Sequence, residues 1–76
     1  MSFPKPPSFV FDGSKIATFR DELGWSQHYF AASLGVPQST VSRWETGRTT
    51  PSAQHLGSMY AIGRHLGVSP NFFDEK

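Results

Sequence analysis

The stretch "GVPQSTVSRWETGR", residues 35–48, predicts a turn, a short helix and a stop. Gly35 and Gly47 stand where glycine commonly ends a helix, and Pro37 stands where proline commonly begins one. On a wheel of about 100° per residue, Val41 and Trp44 fall together on one side of this helix. Polar side chains fall opposite, namely Ser39, Ser42, Arg43 and Thr46. The stretch therefore predicts a helix over 37–46, helix 3, whose outer face meets water or a polar partner.

A second helix is predicted just upstream, over 27–34. Ser26 stands where an N-cap residue belongs, and Trp25 and Phe30 have the spacing of two apolar side chains that staple a helix entry. A glycine ends this helix, and Ala31 is small enough to allow close approach of a neighbouring helix. Two helices of about eight residues joined by a glycine-containing turn are typical of a helix-turn-helix.

Two further helices flank this pair. Helix 1, capped by Asp12 or Ser14, is expected to end at Gly24. Helix 4 is expected to be capped by Thr50, to have Pro51 in its first turn and to end at a glycine. The apolar positions at helical spacing are Ile16, Phe19 and Leu23 in helix 1, and Leu56, Met59, Tyr60, Ile62 and Leu66 in helix 4.

The two ends of the chain complete the predicted fold. Ser69 and Pro70 predict a last short helical turn, so that residues 12–76 form an all-α bundle of five short helices. Residues 1–11 predict an extended N-terminal arm, because several prolines block a regular helix. The "FVF" segment, residues 9–11, is expected to pack on the core of its own domain. Strand pairing with a second chain and simple surface stickiness stay open as alternatives.

Composition limits the classes of protein to which the chain can belong. At 76 residues it is one domain at most, with little room for an active-site cleft, since a domain near this length buries only about 60% of its unfolded surface. Cysteine is absent, so packing rather than disulfides or thiolate-bound metal must hold the fold. No run approaches the length of a membrane span, and the first residues lack the features of a secretory signal. The chain is therefore predicted to be soluble and cytoplasmic, with no membrane partner.

Charge is distributed unevenly, although the formal net charge is only +1. From residue 26 to residue 73, the acidic and basic side chains are Arg43, Arg48 and Arg64 against Glu45 alone. The middle of the chain is therefore locally basic, and clustered positive charge is the electrostatic pattern of nucleic-acid binding.

The chain from Ile16 to Phe73 resembles the lambda repressor-like (XRE/Cro) helix-turn-helix domains. The resemblance lies in Arg20, "SQ" at 26–27, "LGV" at 34–36, "QSTVSRW" at 38–44, "ETGR" at 45–48 and "PSAQHL" at 51–56. It implies a five-helix lambda repressor-like bundle that binds double-stranded DNA, normally as a dimer on a two-fold-related operator. It also implies that Arg20 and Glu45 pair across helices 1 and 3. Glu45 lies at the edge of the inward face of helix 3, which suits a structural role.

Helix 3 carries the predicted contacts with bases. An α-helix fits the major groove of DNA, where polar side chains near its N-terminus can bind base edges. Gln38 and Ser39 stand at that end. Arg43 lies one turn farther along, where a base contact and a phosphate contact are equally open alternatives. The predicted phosphate contacts are Gln27, Thr40, Ser42, Thr46 and Arg48. A solvated helix face is the alternative for this surface.

These features predict a sequence-specific double-stranded DNA-binding transcriptional regulator, repressor-like and dimeric, with helix 3 in the major groove. The expected homodimer interface is the C-terminal part of helix 4 through Phe73, assisted by residues 9–11. The alternative is a protein-interaction module of the same fold, such as the antitoxin of a toxin–antitoxin pair.

An enzyme is disfavoured by the residues that such chemistry would need. The histidines are His28, His55 and His65, which are scattered and lack ligand-like spacing, and there is no cysteine to join them. None of the serines lies in a recognisable nucleophile elbow. No catalytic residue, cofactor or metal is predicted.

Overall fold

A computed structural model describes residues 9–75 of the protein, and most of them are helical. The elements are two short strands and four helices: β1 (Phe9–Phe11), α1 (Ser14–Leu23), α2 (Gln27–Leu34), α3 (Gln38–Glu45), α4 (Ala53–Leu66) and β2 (Phe73–Glu75). Helices 1 to 4 of the prediction correspond to α1 to α4. The predicted arm falls on residues 1–8, which lie outside the described residues, and on β1.

The helix α2 begins and ends at the residues that the sequence indicates, whereas α3 is one residue shorter at each end than predicted, with Pro37 as its extended N-cap residue. The Ser26 hydroxyl accepts a hydrogen bond of 3.1 Å from the main-chain N–H of Tyr29, and so caps α2. The rings of Trp25 and Phe30 lie 6.3 Å apart and staple the helix entry. Gly35 ends α2 with φ 71°, a left-handed conformation that glycine adopts without strain. These contacts bring α3 back against α2 after a very short turn.

The start of α4 differs from the prediction. Thr50 is not its cap: the hydroxyl of Ser52 accepts the hydrogen bond from His55 N–H, at 3.2 Å. Pro51 is buried and lies before the helix rather than in its first turn. Because Pro51 packs inward, the first side chain free to cap the exposed N–H groups is Ser52.

The predicted fifth helix is wrong. Within residues 9–75 the chain after α4 has no helix, and it ends in β2. Phe72 is fully buried, with its ring 5.6 Å from that of Phe19, and its carbonyl oxygen accepts a hydrogen bond from Asp12 N–H. A helix so short is marginal on its own, and this segment finds main-chain partners in the strand at the other end of the chain instead.

The two strands, which the sequence did not predict, form one antiparallel sheet that joins both ends of the described chain. Their register places Val10 opposite Asp74 and Phe11 opposite Phe73. The Phe11 and Phe73 rings meet edge to face, with centroids 5.9 Å apart. The "FVF" segment thus folds back onto its own chain, but only partly onto the core, since Phe9 is 63% exposed.

The core draws on all four helices and on the segment before β2. Its buried side chains are Ile16, Phe19, Phe30, Ala31, Val41, Trp44, Met59 and Phe72. In the predicted stripe of α4, Met59 is buried, whereas Tyr60 and Leu66 are exposed. No helix among the described residues is long and apolar enough to cross a membrane.

Two buried glycines let main-chain segments approach closely. A β-carbon on Gly13 would collide with the carbonyl oxygen of Trp44, the residue before the last of α3. A β-carbon on Gly63 would collide with the carbonyl oxygen of Val68. Gly13 therefore sets the start of α1 directly against the end of α3, and Gly63 sets α4 against the loop that follows it.

Candidate nucleic-acid interface

The helix α3 is anchored on one side and open on the other. Val41 is fully buried and Trp44 is 3% exposed, and both pack into the core. Gln38, Ser39 and Arg43 are exposed on the outer side. The fold therefore presents the three residues predicted to contact bases on one rigid, solvent-facing surface.

An ion pair behind this surface ties α3 to α1. Arg20 Nε donates to Glu45 Oε2 at 2.8 Å, and a second guanidinium nitrogen donates to Glu45 Oε1 at 3.2 Å. The two bonds form the bidentate arrangement that suits a guanidinium and a carboxylate. The hydrogen bond to Glu45 raises the pKa of Arg20 above its ordinary value. Arg20 also donates to the carbonyl oxygen of Trp25 at 2.8 Å, so this one side chain joins α1, α3 and the entry of α2.

A chain of amides runs from this ion pair to the outer face. Gln27 Nε2 donates to Glu45 Oε1 at 2.9 Å, and Gln27 Oε1 accepts from Gln38 Nε2 at 3.4 Å. The first residue of α2 thus connects the half-buried pair to the first residue of α3. Sequence reasoning did not find this chain, although glutamines opening both helices were a visible signal.

The predicted phosphate contacts differ in how free their side chains are. Arg48 is exposed, and its N–H donates to the carbonyl oxygen of Arg43 at 2.9 Å, which folds the loop back beside α3. Thr46 is exposed too, but its hydroxyl donates to the carbonyl oxygen of Ser42 at 2.9 Å and must rotate to reach a phosphate. Thr40 and Ser42 are half-buried. The half-buried side chain of Gln27 is engaged in hydrogen bonds with Glu45 and Gln38, which leaves its second amide hydrogen and its main-chain N–H for a phosphate.

The charge on this surface is positive and uncompensated. Among the ion pairs of residues 9–75, none contains Arg43 or Arg48. Glu45, the one acidic residue between 26 and 73, has a side chain only 8% exposed and is paired with Arg20. An anionic partner approaching α3 therefore meets two exposed arginines and no exposed carboxylate from this part of the chain.

The histidines do not form a site with one another. No group of three or more potential metal-ligating side chains occurs in the part of the chain that the structure describes. His55 lies against Trp44, with ring centroids 5.3 Å apart, and its Nδ1 is 3.1 Å from the Ser52 hydroxyl. His55 is thus part of the packing between α3 and α4.

Comparison with known proteins agrees with this geometry. A family model described as "Helix-turn-helix" matches residues 16–73. The chain belongs to this helix-turn-helix family. The match spans α1 to the start of β2 and contains every residue of the candidate interface. No curated protein matches the sequence significantly.

Among solved structures, this helix-turn-helix protein is similar to the clp gene regulator ClgR from Corynebacterium glutamicum. The two are 28% identical and superpose with a TM-score of 0.62. The match covers 75% of this chain and 57% of the ClgR chain, so the protein spans little more than half the length of that chain. The family and this likeness support a DNA-binding transcriptional regulator.

Proposed function

We propose that the protein is a sequence-specific, repressor-like regulator that binds a double-stranded DNA operator as a homodimer, with α3 in the major groove. One observation carries the proposal: the outer face of α3 exposes Gln38, Ser39 and Arg43, while the single acidic residue of the region is held in a pair with Arg20. A helix of this width fits the major groove, and base edges there offer the donors and acceptors that amides and guanidinium groups bind.

We propose that Gln38 selects one base in particular. One hydrogen of its Nε2 is directed at Gln27 Oε1, so the amide cannot turn over without losing that bond. That bond leaves its Oε1 and its second Nε2 hydrogen for a partner outside the protein. This pair matches the N6 donor and N7 acceptor of adenine, whereas guanine offers two acceptors at the same edge. Gln38 is therefore proposed to select adenine over guanine.

Contacts with phosphates would position the protein on the duplex. Arg48 has an exposed charged side chain next to α3 that is in no ion pair within residues 9–75, and Arg43 can bind either a guanine or a phosphate. The start of α2 adds main-chain N–H groups beside Gln27. Such contacts set affinity and its salt dependence on every sequence, whereas Gln38 and Ser39 set the preference among bases.

The proposal includes a homodimer because one short recognition helix covers only a few base pairs. Two copies related by a two-fold axis read two inverted half-sites, with centres about 34 Å apart or a multiple of that. The alternative from the sequence, a protein-interaction module such as an antitoxin, stays a prediction. A protein-interaction module would bind a protein partner and would not need the polar outer face of α3.

Selection of bound sequences from a pool of random duplexes tests the proposal. We expect enrichment of an inverted repeat whose half-sites contain an adenine that depends on Gln38. The same selection with a Gln38→Ala variant should keep the repeat but lose the preference at that position. Recovery of no common sequence, with equal low-salt affinity for all duplexes, would show that the protein is not a sequence-specific regulator.

A further inference from the structure

Within the described residues, the two edges of the sheet differ in how far their main-chain groups are satisfied. Asp12 N–H donates to the carbonyl oxygen of Phe72 at 2.8 Å. This bond determines which residue pairs of the two strands are hydrogen-bonded to each other. Because hydrogen-bonded pairs alternate along antiparallel strands, Val10 and Asp74 form the next bonded pair. The N–H and C=O groups of Phe9 and Phe11 therefore point away from β2, toward the outer edge of β1.

Side chains cover part of the opposite edge, at β2. Lys15 Nζ donates to the carbonyl oxygen of Phe73 at 3.3 Å, and Asn71 Oδ1 accepts from the N–H of Phe73 at the same distance. Lys15 also forms an ion pair of 2.6 Å with Asp74. The outward main-chain groups of Phe73 are thus already satisfied, which leaves the outer edge of β2 open only at Glu75, the last described residue.

Among the described residues, nothing protects the outer edge of β1 in this way. No group within residues 9–75 hydrogen bonds to the outward main-chain groups of Phe9 or Phe11. Phe9 is 63% and Val10 46% exposed, and the strand carries no charge. Proteins usually blunt a free edge with charges, prolines or a covering segment. A neutral, apolar edge strand is a surface that another strand can pair with.

We infer that the β1 edge binds β1 of a second copy in antiparallel orientation, with the two-fold axis at Val10. The inference rests on the proposed function, which calls for a homodimer, and it names the surface that forms it. The result is a four-stranded sheet with the order β2-β1-β1-β2 across the two copies.

A second copy is the occupant that fits because the edge is complementary to itself. With Val10 opposite the Val10 of the second copy, Phe9 lies opposite Phe11 of that copy. The outward groups of these two residues then form hydrogen-bonded pairs on both sides of the axis, and no like charges meet. A peptide of other sequence would gain main-chain bonds only, without this symmetry.

The strand is also placed to transmit pairing to the recognition helix. Gly13, two residues after β1, lies against the carbonyl oxygen of Trp44 at the end of α3. Two paired copies would therefore hold their α3 helices at a set spacing about the axis. A three-residue strand buries far less than the roughly 1,200 Å² of a stable interface. The dimer should therefore dissociate readily in the absence of DNA and form fully when both copies are bound to the operator.

Site-specific cross-linking tests the pairing, since the chain has no cysteine of its own. In the proposed register, the two Val10 positions form a non-hydrogen-bonded pair with Cα atoms about 4.5 Å apart, within reach of a disulfide. Val10→Cys should cross-link on the selected operator after addition of an oxidant. Phe9→Cys, equally close to the surface, should not, because position 9 lies opposite position 11. Leu66→Cys reports on the end of α4, the interface expected from the sequence. Cross-linking through position 66 and not 10 would overturn the inference.

A charge variant separates this inference from the proposed function. Val10→Lys places an ammonium group opposite Asp74 within one copy, so the monomer should keep its melting temperature. Across the two-fold axis, however, two ammonium groups would face each other. We expect about tenfold weaker binding to an operator with two half-sites and unchanged binding to a single half-site. Equal two-site affinity for Val10→Lys and wild type would refute pairing at β1. Failure of the wild type to prefer either DNA over random duplex would instead refute the proposed function.

Discussion

Glu45 is the centre of a set of side-chain hydrogen bonds that links α1, α2 and α3. Its carboxylate accepts from Arg20 and from Gln27, and Gln27 in turn holds Gln38. Of these residues only Gln38 and Gln27 can reach a partner on the outer face, because the Glu45 side chain is 8% exposed. We therefore propose that Glu45 affects recognition by holding other side chains in place and not by contacting DNA.

The first prediction concerns this ion pair. Glu45→Gln leaves the half-buried Arg20 without its counter-charge, and breaking such a pair costs roughly 3 to 5 kcal/mol, so the melting temperature should fall. Operator affinity measured below the transition should fall only as far as folding is lost. Asp21→Asn is the matched control, since Asp21 lies 3.6 Å from Arg20 but is 74% exposed. Unchanged melting with tighter DNA binding would show that Glu45 repels phosphates and that α3 is oriented differently.

A second prediction at this scale separates base contacts from phosphate contacts. Arg48→Ala should weaken binding to all duplexes alike and reduce the slope of log affinity against log salt by about one. Arg64→Ala removes the same charge from an exposed position on α4 and should leave the slope unchanged. Gln38→Ala should instead keep the slope and cost about 1 to 3 kcal/mol of discrimination at one base. Identical behaviour of Arg48→Ala and Arg64→Ala would remove Arg48 from the interface.

The elements are positioned by close main-chain contacts as much as by the apolar core. The turn between α2 and α3 follows from Gly35 and Pro37, whereas the contact between α1 and α3 depends on Gly13. Gly13 has an ordinary helical φ of −62°. Glycine is therefore needed there because it has no side chain to fill the space, not because of its conformational freedom. Any side chain there would push the end of α3 away from α1.

The third prediction compares two glycines. Gly13→Ala should destabilise the protein by about 1 to 3 kcal/mol, because its β-carbon would collide with a main-chain oxygen that cannot move independently. Gly57→Ala is the control: Gly57 is exposed in α4 with nothing within 4 Å of the added carbon. Alanine is favoured over glycine in a helix, so this change should stabilise by about 0.5 to 1 kcal/mol. Denaturant titration measures both, and equal effects would show that α1 and α3 can separate freely.

For the whole molecule, the decisive feature is that the two ends of the described range, residues 9–75, meet. Asp12 binds the carbonyl oxygen of Phe72, β1 pairs with β2, and Lys15 reaches both Phe73 and Asp74. The buried Phe72 ring locks this junction to the core through Phe19. The junction stands in place of the predicted fifth helix.

The fourth prediction is an acid dependence of stability at this junction. The hydrogen bonds that Asp12 accepts from the Ser14 hydroxyl and from the Ser14 main-chain N–H lower the pKa of Asp12 below its ordinary value. A carboxylate with a lowered folded-state pKa stabilises the fold above its unfolded value of about 3.9, and this contribution is lost as pH falls through the folded-state pKa. Melting temperature should therefore drop as pH is lowered below about 4. Asp12→Asn should have a shallower drop over the same range, and a slope equal to that of wild type would contradict the assignment.

Much of the helix-turn-helix could be predicted from the sequence, because its determinants are local. The cap at Ser26, the stop at Gly35 and the inward spacing of Val41 and Trp44 act over a few residues, where periodicity and backbone preference decide the outcome. The pattern of local determinants also indicated the exposed face of α3. The DNA contacts assigned to that face stay predictions.

What only the tertiary structure decided are the contacts between residues far apart in the chain. The pairing of β1 with β2, the space reserved at Gly13 and the hydrogen bonds from Glu45 through Gln27 to Gln38 join separate segments. Three-residue strands are too short to show a period, and a glycine in sequence does not reveal which main chain will approach it. The helices follow from neighbours along the chain, whereas the ends and the amide chain behind α3 follow from where packing brings those helices together.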